Sequence, residues 1–230
     1  MEMFLIDAQA SRIKLILFDV DGVLTDGKIL LHPDGTESKQ FDIKDGTGIV
    51  LAQRAGLIVG FLSARTSPST AQRAAHLGVT LLHQGVSSKL ETYEQIVDEL
   101  LLEDQQVAYM GDDVVDLPVL QRAGLSAAPA DAVDDVRSRV HWVSRANGGQ
   151  GAARELIEVI LRAQDKWDPL VEEYLTLRHG RSVLDTTERS ARGPSERERA
   201  SEASGGGAPR AMDKGSRESA AGVWPRGSKK

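Results

Sequence analysis

The chain contains no cysteine, which excludes disulfides, thiolate metal sites and thiol nucleophiles together. It also lacks an apolar run near the roughly 18 residues of a membrane span, and the residues before Ile13 are mixed, with Glu2 and Asp7 among them. A cytoplasmic location with no membrane partner is therefore expected. Basic charge is scarce where the hydrophobic pattern is. Residues 176–230 carry 12 Lys+Arg against 7 Asp+Glu, a net +5, which leaves −11 for residues 1–175 within the total of −6. An acidic body argues against a nucleic-acid partner, and the basic stretch reads as a solvated tail. That stretch has no periodic apolar face and includes Gly205, Gly206 and Gly207 in succession. It cannot bury enough apolar surface to offset the entropy of ordering. One folded domain over 1–175 and a disordered tail over 176–230 are predicted.

Within the domain, strand and helix patterns alternate. Ile13–Phe18 is an almost unbroken apolar run, as a strand buried on both faces requires. Gly27–Ile43 reads as a β-hairpin turning at Pro33-Asp34-Gly35. The spacing then predicts a helix over Asp45–Ala55, a strand over Leu57–Leu62, a helix over Pro68–Leu77 and a strand over Val79–His83. A helix over Lys89–Leu102 follows, capped by Ser88 with Glu91 in capping-box spacing. Strands at Val107–Met110, Leu125–Ala128 and Val140–Val143 and helices at Asp116–Arg122 and Ala152–Ala163 complete the pattern. This is the rhythm of an α/β, doubly wound, Rossmann-like and mainly parallel sheet, whose ligands sit at the carboxyl ends of the strands.

Four groups of polar residues fall at such ends. Asp19-Val20-Asp21-Gly22 follows the first strand. Two carboxylates separated by one residue can divide their roles, one attacking as a nucleophile and the other moving a proton. A calcium loop would require an oxygen ligand at Val23 and a Glu at Leu30, and neither is present. A plain Asp-rich turn remains the alternative. Ser63, with Ala64 and Arg65, ends another strand and suits either a phosphate cradle or a simple helix cap. Lys89 opposes the dipole of its own helix, which makes sense beside an anion, although a solvated lysine is the commoner case. Asp112, Asp113 and Asp116 follow the strand ending at Met110. They are placed to complete a hard-cation site such as Mg²⁺ favours, whereas a helix dipole would account for one acid better than for three. The order of all four groups decides between these readings.

These motifs resemble the haloacid dehalogenase superfamily of phosphatases over about residues 12–165. More closely, FDVDGVLTDG, DIKDGTGI, LSAR, HLGV, QGVSSKL, YMGDDVVDLPVL and NGGQGAARE look like the superfamily's small capless branch that acts on 3-deoxy-D-manno-octulosonate 8-phosphate, a precursor in lipopolysaccharide synthesis. The resemblance implies a Mg²⁺-dependent phosphatase with Asp19 as nucleophile and metal ligand. Asp21 would be the acid/base, with its backbone carbonyl on the metal, and Asp112 a further ligand supported by Asp113 and Asp116. Ser63 and Lys89 would steady the transferring phosphoryl group. Substrate contacts are implied at Asp21, at the loop Asp42, Ile43, Lys44, Asp45 and Gly46, and at Arg65, Arg73 and Lys89. A homotetramer associating through the hairpins is implied too, with a neighbour's C-terminal segment helping to close each site.

The chain departs from that branch at Ala64, where glycine is usual, at Val50, where some relatives have arginine, and at Gln150, within a motif that is often GGRG. Relatives acting on a nine-carbon sialic-type sugar phosphate carry Glu at the place of Arg65. A sugar-phosphate binding module without catalysis is a further reading, which retention of Asp21 opposes. A mutase would need a cap domain, and the motifs leave no insertion long enough for one.

Overall fold

The structure, a computed structural model, describes residues 2–176. Among these, β1 (Leu15–Phe18), β4 (Ile58–Ser63), β5 (Leu81–Gln84), β6 (Val107–Met110), β7 (Leu125–Ala128) and β8 (Trp142–Val143) form one sheet in the order β5-β4-β1-β6-β7-β8, with every pairing parallel. A separate antiparallel ribbon pairs β2 (Leu30–Leu31) with β3 (Glu37–Ser38). The expected α/β sheet with a protruding hairpin is what the chain forms. Between β1 and α2 (Ile43–Arg54) there is only this hairpin, so the described residues contain no cap domain.

Alternation along β1 explains the layers. Ile16 and Phe18 join a core with residues of α2, α3 (Pro68–His76), α7 (Ala152–Ala163) and α8 (Trp167–Thr176), and Ala10 at the end of α1 (Glu2–Ala10) lies in the same cluster. Leu15 and Leu17 point the other way, toward α4 (Lys89–Glu99), α5 (Leu117–Leu120) and α6 (Asp134–Arg137). All four β1 side chains are fully buried, each burial favouring the fold by roughly 1.5–3 kcal/mol before entropy is counted. The resulting three layers leave the carboxyl edge of β1 open. Chain order reverses at β1, with β4 on one side and β6 on the other, so the switch point of the sheet lies where Asp19 emerges.

Several boundaries differ from the sequence expectation. Helix α2 begins at Ile43, because the Asp42 side chain accepts the Lys44 amide and caps it. The segment from Asp42 to Gly46 is thus a cap and first helical turn rather than a loop. Helix α4 does have Ser88 as its cap, accepting from the Glu91 amide at 3.2 Å, but it stops at Glu99. Leu101 takes φ +52°, a left-handed helix stop more often filled by glycine. The hairpin strands pair over only two residues each, since they stand apart from the main sheet. Helices α1, α6 and α8 were not anticipated. The expected disordered tail lies, after Thr176, outside the described residues. No helix among the described residues is long and apolar enough to cross a membrane.

Candidate active site

Register brings the polar groups together. Phe18 of β1 stands opposite Phe61 of β4 and Met110 of β6, so Asp19, Ser63 and Gly111-Asp112 leave the sheet at nearly one level. The amide of Asp19 donates to the Met110 carbonyl at 3.0 Å, fixing where the carboxylate starts. Beyond it the chain folds back tightly, with the amides of Leu24 and Thr25 both on the Val20 carbonyl. The buried Thr25 hydroxyl accepts from Gly22 and Gly27. Gly22 has φ +92°, and a Cβ there would lie 2.0 Å from Asp112 Oδ2. Glycine is required on both counts, and its absence of side chain is what lets the first and last acidic groups approach.

Lys89, at the start of α4, reaches inward with its side chain 5% exposed and stands 2.9 Å from Asp19 Oδ1 and 2.6 Å from Asp116 Oδ1. Burial works to lower its pKa, but the two carboxylates together outweigh burial and raise it, so the ammonium stays charged. Asp116 is completely buried and fully engaged: Oδ1 also accepts the Tyr109 phenol at 2.6 Å, and Oδ2 accepts the amides of Asp112 and Asp113 at 3.1 and 3.3 Å. The Tyr109 phenol, buried among carboxylates, is held far above its usual pKa and acts only as a donor here. Asp113 is exposed and caps the turn after it by accepting the Val114 amide at 2.7 Å.

Asp19, Asp112 and Asp116 each offer a carboxylate oxygen within 4.8 Å of the others. Burial first, then mutual repulsion, raises the pKa of both Asp19 and Asp112. Asp112 Oδ1 is buried and has no hydrogen-bond partner. With Asp116 occupied by four donors, the oxygens left facing one another are those of Asp19 and Asp112. An all-oxygen, electron-rich gap with an unpartnered buried carboxylate oxygen fits a small hard cation.

The remaining expected residues are spread around this centre. Ser63 is buried at the end of β4, where its hydroxyl accepts the Arg65 amide at 3.2 Å. Asp21 lies partly open, with Lys39 Nζ 2.7 and 2.9 Å from its two oxygens and Arg65 Nε at 3.7 Å. Arg73 donates to the Asp42 carbonyl at 2.9 Å and packs beneath Gly46, where a Cβ would meet its guanidinium at 2.2 Å. Ile43 and Lys44 are exposed. Asp45 is turned away from the cation gap: its buried carboxylate accepts the amides of Gly151 and Arg154 at 3.2 and 2.8 Å, capping α7. Val50 packs against the core. Lys39, Glu37 and Tyr109 were not singled out from the sequence. Lys39 and Glu37 sit in the polar stretch TESKQ, and Tyr109 ends a run that reads as core.

The fold and strand-end acids define a haloacid dehalogenase-like hydrolase, and the family model of that description matches residues 62–156. The Escherichia coli K12 enzyme 3-deoxy-D-manno-octulosonate 8-phosphate phosphatase KdsC is 41% identical over 161 residues, covering 70% of this chain and 86% of the relative. The chain belongs to this phosphatase family. A crystal structure of the Yersinia pestis enzyme superposes with a TM-score of 0.71 at 40% identity, covering 71% of this chain and 89% of the other. The Moraxella catarrhalis enzyme, solved with magnesium, phosphate and KDO, gives a TM-score of 0.72 at 34% identity over 74% of this chain and 97% of that one.

Proposed function

We propose that this phosphatase hydrolyses 3-deoxy-D-manno-octulosonate 8-phosphate through a phosphoaspartate on Asp19, with Mg²⁺ as cofactor, in lipopolysaccharide precursor synthesis in the cytoplasm. The observation that carries the reading is the pairing of Asp19, steadied by Lys89, with the unpartnered oxygen of Asp112 at the switch point. Asp19, Asp112 and the main-chain carbonyl of Asp21 would hold the ion. When bound, Mg²⁺ supplies charge that offsets repulsion between Asp19 and the phosphate and stabilises charge on the transferring group.

The chain's own residues then act in two half-reactions. An Asp19 oxygen attacks phosphorus while the ester oxygen leaves, and Asp21 gives that oxygen its proton. Asp21, now a carboxylate, takes a proton from water as the water oxygen attacks the phosphoaspartate, which releases inorganic phosphate and restores Asp19. Lys89 and the Ser63 hydroxyl hold the phosphoryl oxygens through the transfer. Arg65, beside Asp21, is half exposed and presents a planar fork suited to the sugar acid's carboxylate. Leu30 and Leu31 on the hairpin and Ile43 beside it are 62%, 73% and 81% exposed, which supports association of hairpins into a homotetramer.

Phosphate release from a panel of sugar phosphates, measured with and without EDTA, tests this reading. Asp19→Asn should lose at least about a thousandfold in kcat, and chelation should abolish turnover by the wild type. Retained turnover in either case would sink the nucleophile and metal assignments.

A further inference from the structure

The hairpin brings two charges into the mouth of the site. Glu37 Oε2 accepts from Arg65 Nη2 at 3.0 Å, and Glu37 Oε1 lies 4.0 Å from Lys39 Nζ and makes no hydrogen bond. Lys39 has no exposed side-chain surface and holds both oxygens of Asp21, and Arg65 Nε approaches Asp21 from the other side at 3.7 Å. Two carboxylates and two cations thus form a closed ring. One side of it comes from the strand-one loop, one from the segment after β4 and two from the hairpin.

With both carboxylates ionised, as before Asp21 takes up the proton it later donates, the ring is neutral and offers no net positive charge of its own to attract an acid. Lys89 is committed to Asp19 and Asp116, and Arg73 to the main chain of Asp42. Arg65 is therefore the cation nearest Asp21 that a ligand's carboxylate can meet as the site stands, Lys39 being covered until Glu37 withdraws, and both already face carboxylates of the protein. Each carboxylate has one buried oxygen without a hydrogen bond, Asp21 Oδ1 and Glu37 Oε1, but Lys39 Nζ stands 2.7 and 2.9 Å from the two Asp21 oxygens and only 4.0 Å from Glu37. Glu37 is the weaker-held member. The Ser67 hydroxyl facing it, with Lys39 and Arg65, keeps its carboxyl below the usual range, so it competes as an anion.

We propose that Glu37 is a displaceable internal carboxylate that occupies Arg65 and Lys39 until the carboxylate of the sugar acid phosphate replaces it, which makes Glu37 and Lys39 specificity-determining residues. This deepens the proposed function and rests on its reading of the substrate as an acid phosphate. The exchange has two consequences. A ligand lacking a carboxylate leaves Glu37 on Arg65 and gains nothing from the cations. A ligand carrying one must first overcome the Glu37 pair, so its apparent affinity is reduced by the fraction of enzyme in which Glu37 is seated. Because Arg65 is half exposed, that reduction is small.

The test is the ratio of kcat/KM for 3-deoxy-D-manno-octulosonate 8-phosphate to that for p-nitrophenyl phosphate, which has no carboxylate. In Glu37→Gln and Glu37→Asp the ratio should rise about two- to fivefold, the factor expected for removing an exposed competing pair. Inhibition by the dephosphorylated sugar acid should tighten in parallel. In Lys39→Met the ratio should fall about tenfold or more, as for a lost charge-assisted contact, and Lys39→Arg should restore part of it. A ratio unchanged or lowered in both Glu37 variants overturns the exchange, whatever their stability, because the ratio is taken on one preparation. A wild type with no preference for the acid phosphate overturns the substrate reading and the exchange with it. A wild-type preference that both Glu37 variants leave untouched overturns the exchange alone.

Discussion

Lys89 Nζ stands closer to Asp116 than to Asp19, at 2.6 Å against 2.9 Å, although Asp19 carries the chemistry. Asp116 is the anchor: it receives Lys89, Tyr109 and the amides of Asp112 and Asp113, and so fixes both the lysine and the second acidic group. In Asp116→Asn one carboxylate oxygen becomes an NH₂ that faces donors. Stability should fall by about 3 kcal/mol, as when a buried pair loses a partner, and kcat should fall with it. Urea unfolding read beside steady-state kinetics checks this, and a variant of wild-type stability would refute the anchoring role.

Asp45 gives a pH signature separate from the cation gap. Burial raises its pKa from 3.8 to about 6, even though the Gly151 and Arg154 amides pull the other way. The folded state therefore binds the proton more tightly than the unfolded chain. Its contribution to stability is complete below about pH 4 and is lost as pH rises toward 6. At full swing this amounts to roughly 3 kcal/mol. Asp45→Asn should remove that slope, so the stability difference between wild type and variant must shift across pH 4–6. Taking the difference cancels titrations common to both proteins. A constant difference over the window would be inconsistent with a raised Asp45 pKa.

Gly148 tests close approach of main chains. A Cβ at this position would sit 1.8 Å from the Gly22 carbonyl oxygen, which is backbone and cannot rotate aside. Gly148→Ala should cost more than about 2 kcal/mol and reduce kcat by displacing the loop behind Asp19. Gly56→Ala serves as comparison, since Gly56 has φ +85° but nothing within 4 Å of the added atom. It should cost about 1–2 kcal/mol through backbone strain and leave kcat near wild type. Equal kinetic effects of the two substitutions would argue against a Gly148–Gly22 contact that matters for the site.

Residues 177–230 should be dispensable for folding, on composition alone. A chain ending at Thr176 should keep its thermal midpoint within about 2 °C. A larger drop in a melting experiment would show that the removed segment stabilises the domain.

Much of the fold is legible in the sequence because parallel strands buried on both faces leave unbroken apolar runs, and LILF and VAYM announce β1 and β6 directly. The strand-end acids follow from position relative to those runs. What escapes is set by distant partners. Glu37 and Lys39 read as a polar hairpin edge, and only folding places them against Arg65 and Asp21, 28 and 18 residues away. Asp45 sits among residues that resemble a ligand loop, but its carboxylate partners lie 106 and 109 residues further along. Helix α8 does carry a local signal: Trp167, Leu170, Val171 and Tyr174 recur at helical spacing, with Pro169 near the start.

The contact of Gly148 with Gly22, together with the Asp45 cap on α7, means that the earliest part of the site is finished by nearly the latest part of the domain. A ribosome adding roughly 5–20 residues per second exposes Asp19 and then needs roughly 7–27 seconds to deliver Arg154. During that interval the nucleophile loop has no wall behind it and the Asp45 carboxylate has no amides to cap, so an incomplete chain cannot fix Asp19 in its working position. The full set of contacts around the site therefore exists only once α7 has been made.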